Sequence, residues 1–216
     1  MTCCSHCVDA EDLFTDRTAR RELKRYRKKG PVRTTRLLID AIRPRLTTDG
    51  TLLDVGGGIG AIQHELIEAG AARAVQVDAS RGYLAASSEE AARLGHADRV
   101  AHVYGDFAAM ADEVEDADVV TLDRVICCYP DMERLVAASA SKARHLYGLV
   151  YPRERWPTRV FMAIGNLYMR MRRSAFRGYL HSGAAVDSLV RGLGFERATH
   201  ERTWLWEVAT YTRTPR

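Results

Sequence analysis

Leu52-Leu53-Asp54-Val55-Gly56-Gly57-Gly58-Ile59-Gly60 is the stretch that decides how this chain reads. Residues 51–55 form a short apolar run of the kind that makes a buried strand, and 59–69 carry a helical pattern that Gly70 ends. The glycines at 56, 57, 58 and 60 therefore fall in and just after the turn between strand and helix. Glycine adopts backbone torsions that other residues resist, and without a Cβ it lets a ligand lie against bare main chain. The C-terminal edge of a strand is also where open α/β sheets bind their ligands. A plain structural turn is the simplest alternative. Gly56-x-Gly58-x-x-Ala61 also satisfies the dinucleotide fingerprint, which seats a pyrophosphate on a helix N-terminus. The loop alone leaves both kinds of nucleotide cofactor open.

Short apolar runs and helical patterns alternate outward from this loop. Residues 74–77, 100–104, 119–122 and 146–151 read as further strands buried on both faces. Ser80 caps a helix that stops at Gly95, and Pro130-Asp131 precede an Ala-rich helix over 132–143. Such alternation predicts an α/β fold, a mostly parallel sheet with helices on both faces. Ser182 caps a last helix to 193, and strand-like stretches at 195–200 and 204–211 follow with a link too short for anything but an antiparallel C-terminal hairpin. Before the loop, a basic run from Arg17 to Lys29 predicts an exposed helix over 9–29, ended by Gly30-Pro31. Leu37, Leu38, Ala41 and Ile42 then mark a helix that covers one face of the sheet before Pro44. Residues 1–216 read as one domain, with a helical arm at 1–48. The stretch 153–178, apolar residues interleaved with arginines, is longer than an ordinary connection and reads as a helical lid inserted at the rim.

Composition sets outer limits. The chain has 216 residues, 46% hydrophobic and 28% charged, with a formal net charge of +4, which excludes disordered, collagenous and low-complexity classes. Neither a membrane-spanning run nor a secretory leader is legible, which points to the cytoplasm. Five cysteines in two tight clusters, Cys3-Cys4-x-x-Cys7 and Cys127-Cys128, suit free thiols better than a disulfide framework.

Asp54 two residues before the first glycine, the third glycine of the pattern at Gly60, the helical arm and the closing hairpin together resemble the class I S-adenosylmethionine-dependent methyltransferases. That resemblance runs over about 17–211 and implies a Rossmann-like sheet of seven strands, the last antiparallel. It implies S-adenosylmethionine as cofactor, held by Asp54, Gly56, Gly57, Gly58 and Gly60. It further implies Asp78, with Ala79 beside it, on the ribose hydroxyls, and Asp106 and Phe107 around the adenine. Asp123 and Arg124 would lie beneath the methionine portion. For Asp106 a helix cap is the competing reading.

Methyl transfer from a sulfonium needs alignment and exclusion of water more than it needs chemistry from side chains. A carboxylate or thiolate acceptor requires no base, whereas a hydroxyl or amine does. Tyr26, Cys128, Tyr129 and His181 are the candidate catalytic or orienting groups. Within the superfamily, Arg25-Tyr26, Asp123-Arg124-Val125-Ile126-Cys127-Cys128-Tyr129-Pro130 and Arg177-Gly178-Tyr179-Leu180-His181 resemble the magnesium-protoporphyrin O-methyltransferase group. Where that group has His before Tyr-Pro this chain has Cys128, so the expectation is a related enzyme acting on a small molecule, at a carboxylate or hydroxyl oxygen. Two other readings remain. Cys3, Cys4 and Cys7 hold enough soft ligand for a thiophilic metal or metalloid, which would make the chain a thiol-based sensor on a methyltransferase fold. The basic arm and the 153–178 stretch would suit an RNA methyltransferase, against which stands the absence of the Asn/Asp-Pro-Pro-aromatic motif. Oligomeric state is not legible.

Overall fold

The computed structural model describes residues 14–174 and 176–215. Strands β1 (Thr51–Val55), β2 (Arg73–Asp78), β3 (Val100–Tyr104), β4 (Ala117–Asp123), β5 (Ala143–Pro152), β6 (Phe195–Arg202) and β7 (Trp206–Arg213) join in one seven-stranded sheet. Their order is β3-β2-β1-β4-β5-β7-β6. β1 to β5 pair in parallel, and β7 runs antiparallel to both β5 and β6. The Rossmann-like sheet with its antiparallel C-terminal hairpin is thus as the sequence predicts. The strand order reverses between β1 and β4, so a crevice opens at their C-terminal ends.

Side chains alternate across β1, which is why an unbroken apolar run suits it. Leu52 faces one layer, packing with Leu38, Ile39 and Ile42 of helix α2 (Arg33–Ile42) and with Ile62, Leu66 and Ile67 of α3 (Ala61–Glu68). Leu53 and Val55 face the other layer, where Leu135 and Val136 of α6 (Met132–Ser141) and Val186 and Val190 of α8 (Gly183–Gly192) cover the sheet. α2 lies so close to β5 that a Cβ on Gly148 would come within 2.9 Å of Leu38 Cδ1.

Helix α1 (Asp16–Lys29) starts at Thr15, which accepts from Thr18 N, and ends at Gly30. It is not the fully exposed helix expected. Ala19 and Leu23 are buried with Tyr83 and Ala86 of α4 (Arg81–Leu94), leaving the arginines on the outer side. α4 follows its prediction: Ser80 accepts from Tyr83 N at 3.2 Å and Gly95 closes the helix at φ 74°. Four details differ. α3 begins at Ala61, because the glycines before it are needed for the turn. α6 ends at Ser141, since Ala143 already belongs to β5. Ser182 precedes α8 without a side-chain capping bond. β3 is an edge strand, half-exposed over most of its length instead of buried on both faces. Between β3 and β4 lies the short α5 (Phe107–Met110), and after β5 comes α7 (Trp156–Met171), the helix expected in the 153–178 stretch.

Candidate functional site

The turn from β1 into α3 uses its glycines one by one. Gly56 sits at φ 65°, donates to Val77 O at 2.7 Å, and a Cβ there would lie 2.5 Å from Val125 Cγ2. Gly58, at φ 58°, turns its N–H to Asp78 Oδ2 at 2.9 Å, while its carbonyl accepts from Gln76 Nε2 at 2.7 Å. Gly60 caps α3 at φ 77°. Each of these torsions is one that residues with a Cβ rarely adopt.

Gln76 belongs to none of the motifs, and only its place as a glutamine inside an apolar strand marks it in the sequence. Its Oε1 accepts from Gln63 Nε2 at 3.0 Å and from Ser87 Oγ at 2.6 Å, all three side chains fully buried. A buried polar set with its bonds made is rigid, and this one fixes the carbonyl of Gly58 from below.

Asp78, at the end of β2, takes its second bond from Ser80 N at 2.8 Å onto Oδ1. Burial pushes its pKa up to about 6, the main-chain donors Ser80 and Gly58 opposing the shift. Asp54 lies beneath the loop, outside the cavity wall. It is fully buried; Oδ1 accepts from Thr121 Oγ1 at 2.7 Å and Oδ2 has no partner among the described residues. Burial raises its pKa to about 7. A Cβ on Gly57 would meet that orphaned oxygen at 2.6 Å, so the second loop glycine is required by the acid under it.

The crevice is a cavity of about 570 Å³. Its floor is the main chain of Gly56, Gly57 and Gly58, and Asp78, Ala79 and Ser80 form one side. Asp106, Phe107 and Tyr129 form a second side, and Asp123, Arg124 and Cys128 a third. Phe14, Arg25, Tyr26 and Thr35 approach from the helical arm. Asp54, Gly60 and His181 do not line it.

The strand ends hold their acids by specific bonds. Asp106 is both cap and bridge: Oδ1 accepts from Ala108 N at 3.1 Å at the start of α5, and Oδ2 from the Tyr129 hydroxyl at 3.2 Å. Phe107 is buried in the core and reaches the cavity wall. Asp123 accepts from the hydroxyl of Thr35, which joins the arm to β4, and from Arg124 Nε at 3.2 Å. Arg124 holds φ 63°, a strained torsion for so large a residue, pinned by its N–H to Val150 O at 2.9 Å.

Of the four candidate catalytic groups, Tyr26, Cys128 and Tyr129 line the cavity and His181 does not. The Tyr26 ring lines the cavity, but burial and then Glu65 and Glu90 raise its pKa, so the phenol keeps its proton. Cys127 and Cys128 stand with sulfurs 3.9 Å apart, and the Cys127 sulfur together with burial pushes the Cys128 thiol well up. His181 donates from Nε2 to the Tyr129 carbonyl at 3.0 Å and stacks on Tyr179. Tyr129 is on the wall with its hydroxyl given to Asp106. Cys3, Cys4 and Cys7 lie outside the described residues. Among the described residues no group of three His, Cys, Asp or Glu side chains is placed to hold a metal ion. α7 contributes no residue to the cavity wall.

Residues 52–146, from β1 into β5, match the model of the family described as methyltransferase domain. The fold of this chain is similar to that of magnesium protoporphyrin IX methyltransferase from Synechocystis PCC 6803, solved with bound S-adenosylmethionine, at 17% identity and a TM-score of 0.70 over 99% of this chain and 100% of that one. An O-methyltransferase family protein from Burkholderia thailandensis gives 16% identity and a TM-score of 0.70 over 92% of this chain and 60% of that one. An O-methyltransferase family 2 protein from Planctomyces limnophilus, in complex with apigenin, gives 17% identity and a TM-score of 0.65 over 92% and 62%. No curated protein sequence matches significantly. The residues that match the family model thus sit in a fold similar to that of these solved structures. No helix among the described residues is long and apolar enough to cross a membrane.

Proposed function

We propose that this protein moves the methyl group of S-adenosylmethionine onto an oxygen of a small molecule, and that the oxygen belongs to a carboxylate. The observation that carries the cofactor reading is Asp78 bonded to Gly58 N beside a floor of bare glycine main chain. The cavity volume is in the range that encloses ligands of nucleoside size. Asp78 keeps lone pairs for ribose hydroxyls after its main-chain bonds, Phe107 and Asp106 flank the base, and the bare main chain of Gly56–Gly58 lies against the rest. When bound, S-adenosylmethionine supplies an electrophilic methyl on a sulfonium whose thioether leaves without assistance.

What this chain adds is alignment. Thr35 and Arg124 hold the Asp123 carboxylate in place, and the apolar side chains of Val77, Val125 and Leu135 limit water on the wall. Among the groups on the wall, Tyr26 and Cys128 keep their protons, and Asp106 and Asp123 each accept two bonds from within the protein. That favours an acceptor with no proton to lose. Arg25 stands on the wall without an ion pair among the described residues and suits an anionic acceptor, whereas Arg124 beside it on the wall is paired with Asp123.

Calorimetric titration with S-adenosylmethionine, S-adenosylhomocysteine and NAD tests the cofactor reading, which expects the first two to bind and NAD not to; preference for NAD contradicts it. A labelled-methyl assay on paired carboxylic acids and alcohols tests the acceptor. Base-labile methyl ester is the expected product, and alkali-stable methyl ether counts against the carboxylate.

A further inference from the structure

Helix α7 is built inside out. At about 100° per residue, Trp156, Phe161, Ile164, Leu167, Tyr168 and Met171 fall within an arc of about 140°. Such a stripe ordinarily faces a core, yet these six side chains are 54–75% exposed. The helix rests on the protein by its other side, where Thr158 is buried and Asn166 exchanges two 2.8 Å bonds with Gly178. Trp204, in the turn between β6 and β7, is likewise 68% exposed.

The charge around the stripe has one sign. From residue 155 to residue 186 the chain contains no Asp or Glu. Arg159 pairs with Glu154 at 2.6 Å, whereas Arg155, Arg170, Arg172 and Arg173 are exposed and make no ion pair among the described residues. Arg159 and Arg170 flank the stripe, and Arg172 and Arg173 follow its end. A second copy of this chain set against the stripe by a two-fold axis would bring these arginines towards their own copies. An aromatic and aliphatic face bordered only by arginines matches an anionic lipid surface, where the rings enter the headgroup boundary and the guanidinium groups meet phosphates.

We propose that α7 is an interfacial anchor that lays this protein on an anionic membrane surface. The anchor is coupled to the cavity by short links. Behind it, Gly178 is held by Asn166, and the next residue, Tyr179, donates its N–H to Cys127 O at 2.7 Å; Cys127 lines the cavity. Phe176 meets Phe14, also on the wall, edge to face at 5.8 Å. A protein so docked places its crevice beside the bilayer, within reach of an apolar acceptor dissolved there. The anchor itself does not depend on the catalytic reading above.

Co-sedimentation of the full chain with phosphatidylglycerol–phosphatidylcholine vesicles, and with phosphatidylcholine alone, tests the anchor. Binding is expected to the anionic vesicles and to fall with salt. The triple variant Phe161→Ser, Ile164→Ser, Leu167→Ser should bind more than about tenfold more weakly. The variant Arg170→Gln, Arg172→Gln, Arg173→Gln should lose roughly a hundredfold. All six positions are exposed, so an unchanged melting temperature verifies that each variant folds. Failure to sediment with anionic vesicles, or sedimentation of the serine variant as strong as the parent, overturns the proposal. Retention of a single-stranded RNA oligonucleotide without vesicle binding overturns it in favour of nucleic acid. A dimer that the serine variant dissolves, again without vesicle binding, overturns it in favour of a second copy.

Discussion

The glycine-loop crevice and helix α7 break the usual inside-outside rule in opposite directions. Around the loop, polar groups are buried: Asp54, Gln63, Gln76 and Ser87 have no exposed surface, and Asp78 has little. On α7, large apolar groups lie in solvent. Both arrangements cost stability relative to the ordinary pattern, since buried carboxylates lose hydration and exposed rings gain nothing from the core. Sites outside an otherwise regular α/β frame are where such costs are found, so the two exceptions locate what the molecule handles. One faces a small polar ligand and the other an apolar surface.

The contrast can be broken most sharply at Asp78. Asp78→Ala removes the acceptor beside Gly58 and should weaken S-adenosylmethionine binding by about 10²-fold or more, the loss of charged hydrogen bonds, without changing vesicle binding. Calorimetry and co-sedimentation on the same preparation read both. Next, Gln76→Leu leaves the carbonyl of Gly58 and the side chains of Gln63 and Ser87 without their shared partner. It should cost about 1–3 kcal/mol in unfolding free energy and raise KM for the cofactor more than it lowers kcat. Urea denaturation and steady-state kinetics separate those effects.

Acid titration sharpens the comparison further. The Asp78 pKa stands at about 6, and hydroxyl donors prefer the ionised carboxylate, so cofactor affinity should fall as pH drops through 6. Asp54 stands at about 7 against an ordinary value of 3.8, so folding is favoured by its protonated form and that contribution is lost as pH rises from about 4 through 7. Asp54→Asn should therefore gain melting temperature relative to the parent between pH 5 and pH 8. A constant difference across that range would place the cost elsewhere. The smallest effect is expected on α7, where Leu167→Ser should change unfolding free energy by no more than about 0.5 kcal/mol.

Much of the frame is legible in the chain. β1, β4 and β5 are covered on both sides, which writes a continuous apolar run, and the ends of α4 are written by Ser80 and Gly95. The positions of Asp78 and Asp106 at strand ends follow from that frame. Side-chain direction does not. Tyr26 and His181 share motifs with the crevice, yet the acids that raise the Tyr26 pKa lie on α3 and α4, and His181 spends its ring on a backbone carbonyl. Asp54 reads as a cofactor ligand but lies under the loop, a consequence of the alternation that sends Leu53 and Val55 to the other face. On α7 the periodicity reveals a stripe without saying whether it turns in or out, because that depends on what the sheet leaves uncovered.

The central claim is that the crevice at the ends of β1 and β2 takes an adenosyl sulfonium with Asp78 on its sugar. A crystal structure of the protein with S-adenosylhomocysteine tests it most directly. The account predicts the nucleoside against Gly56, Gly57 and Gly58 with both ribose hydroxyls bonded to Asp78. Density for the ligand at another place, or a crevice filled by the protein's own side chains, would contradict it.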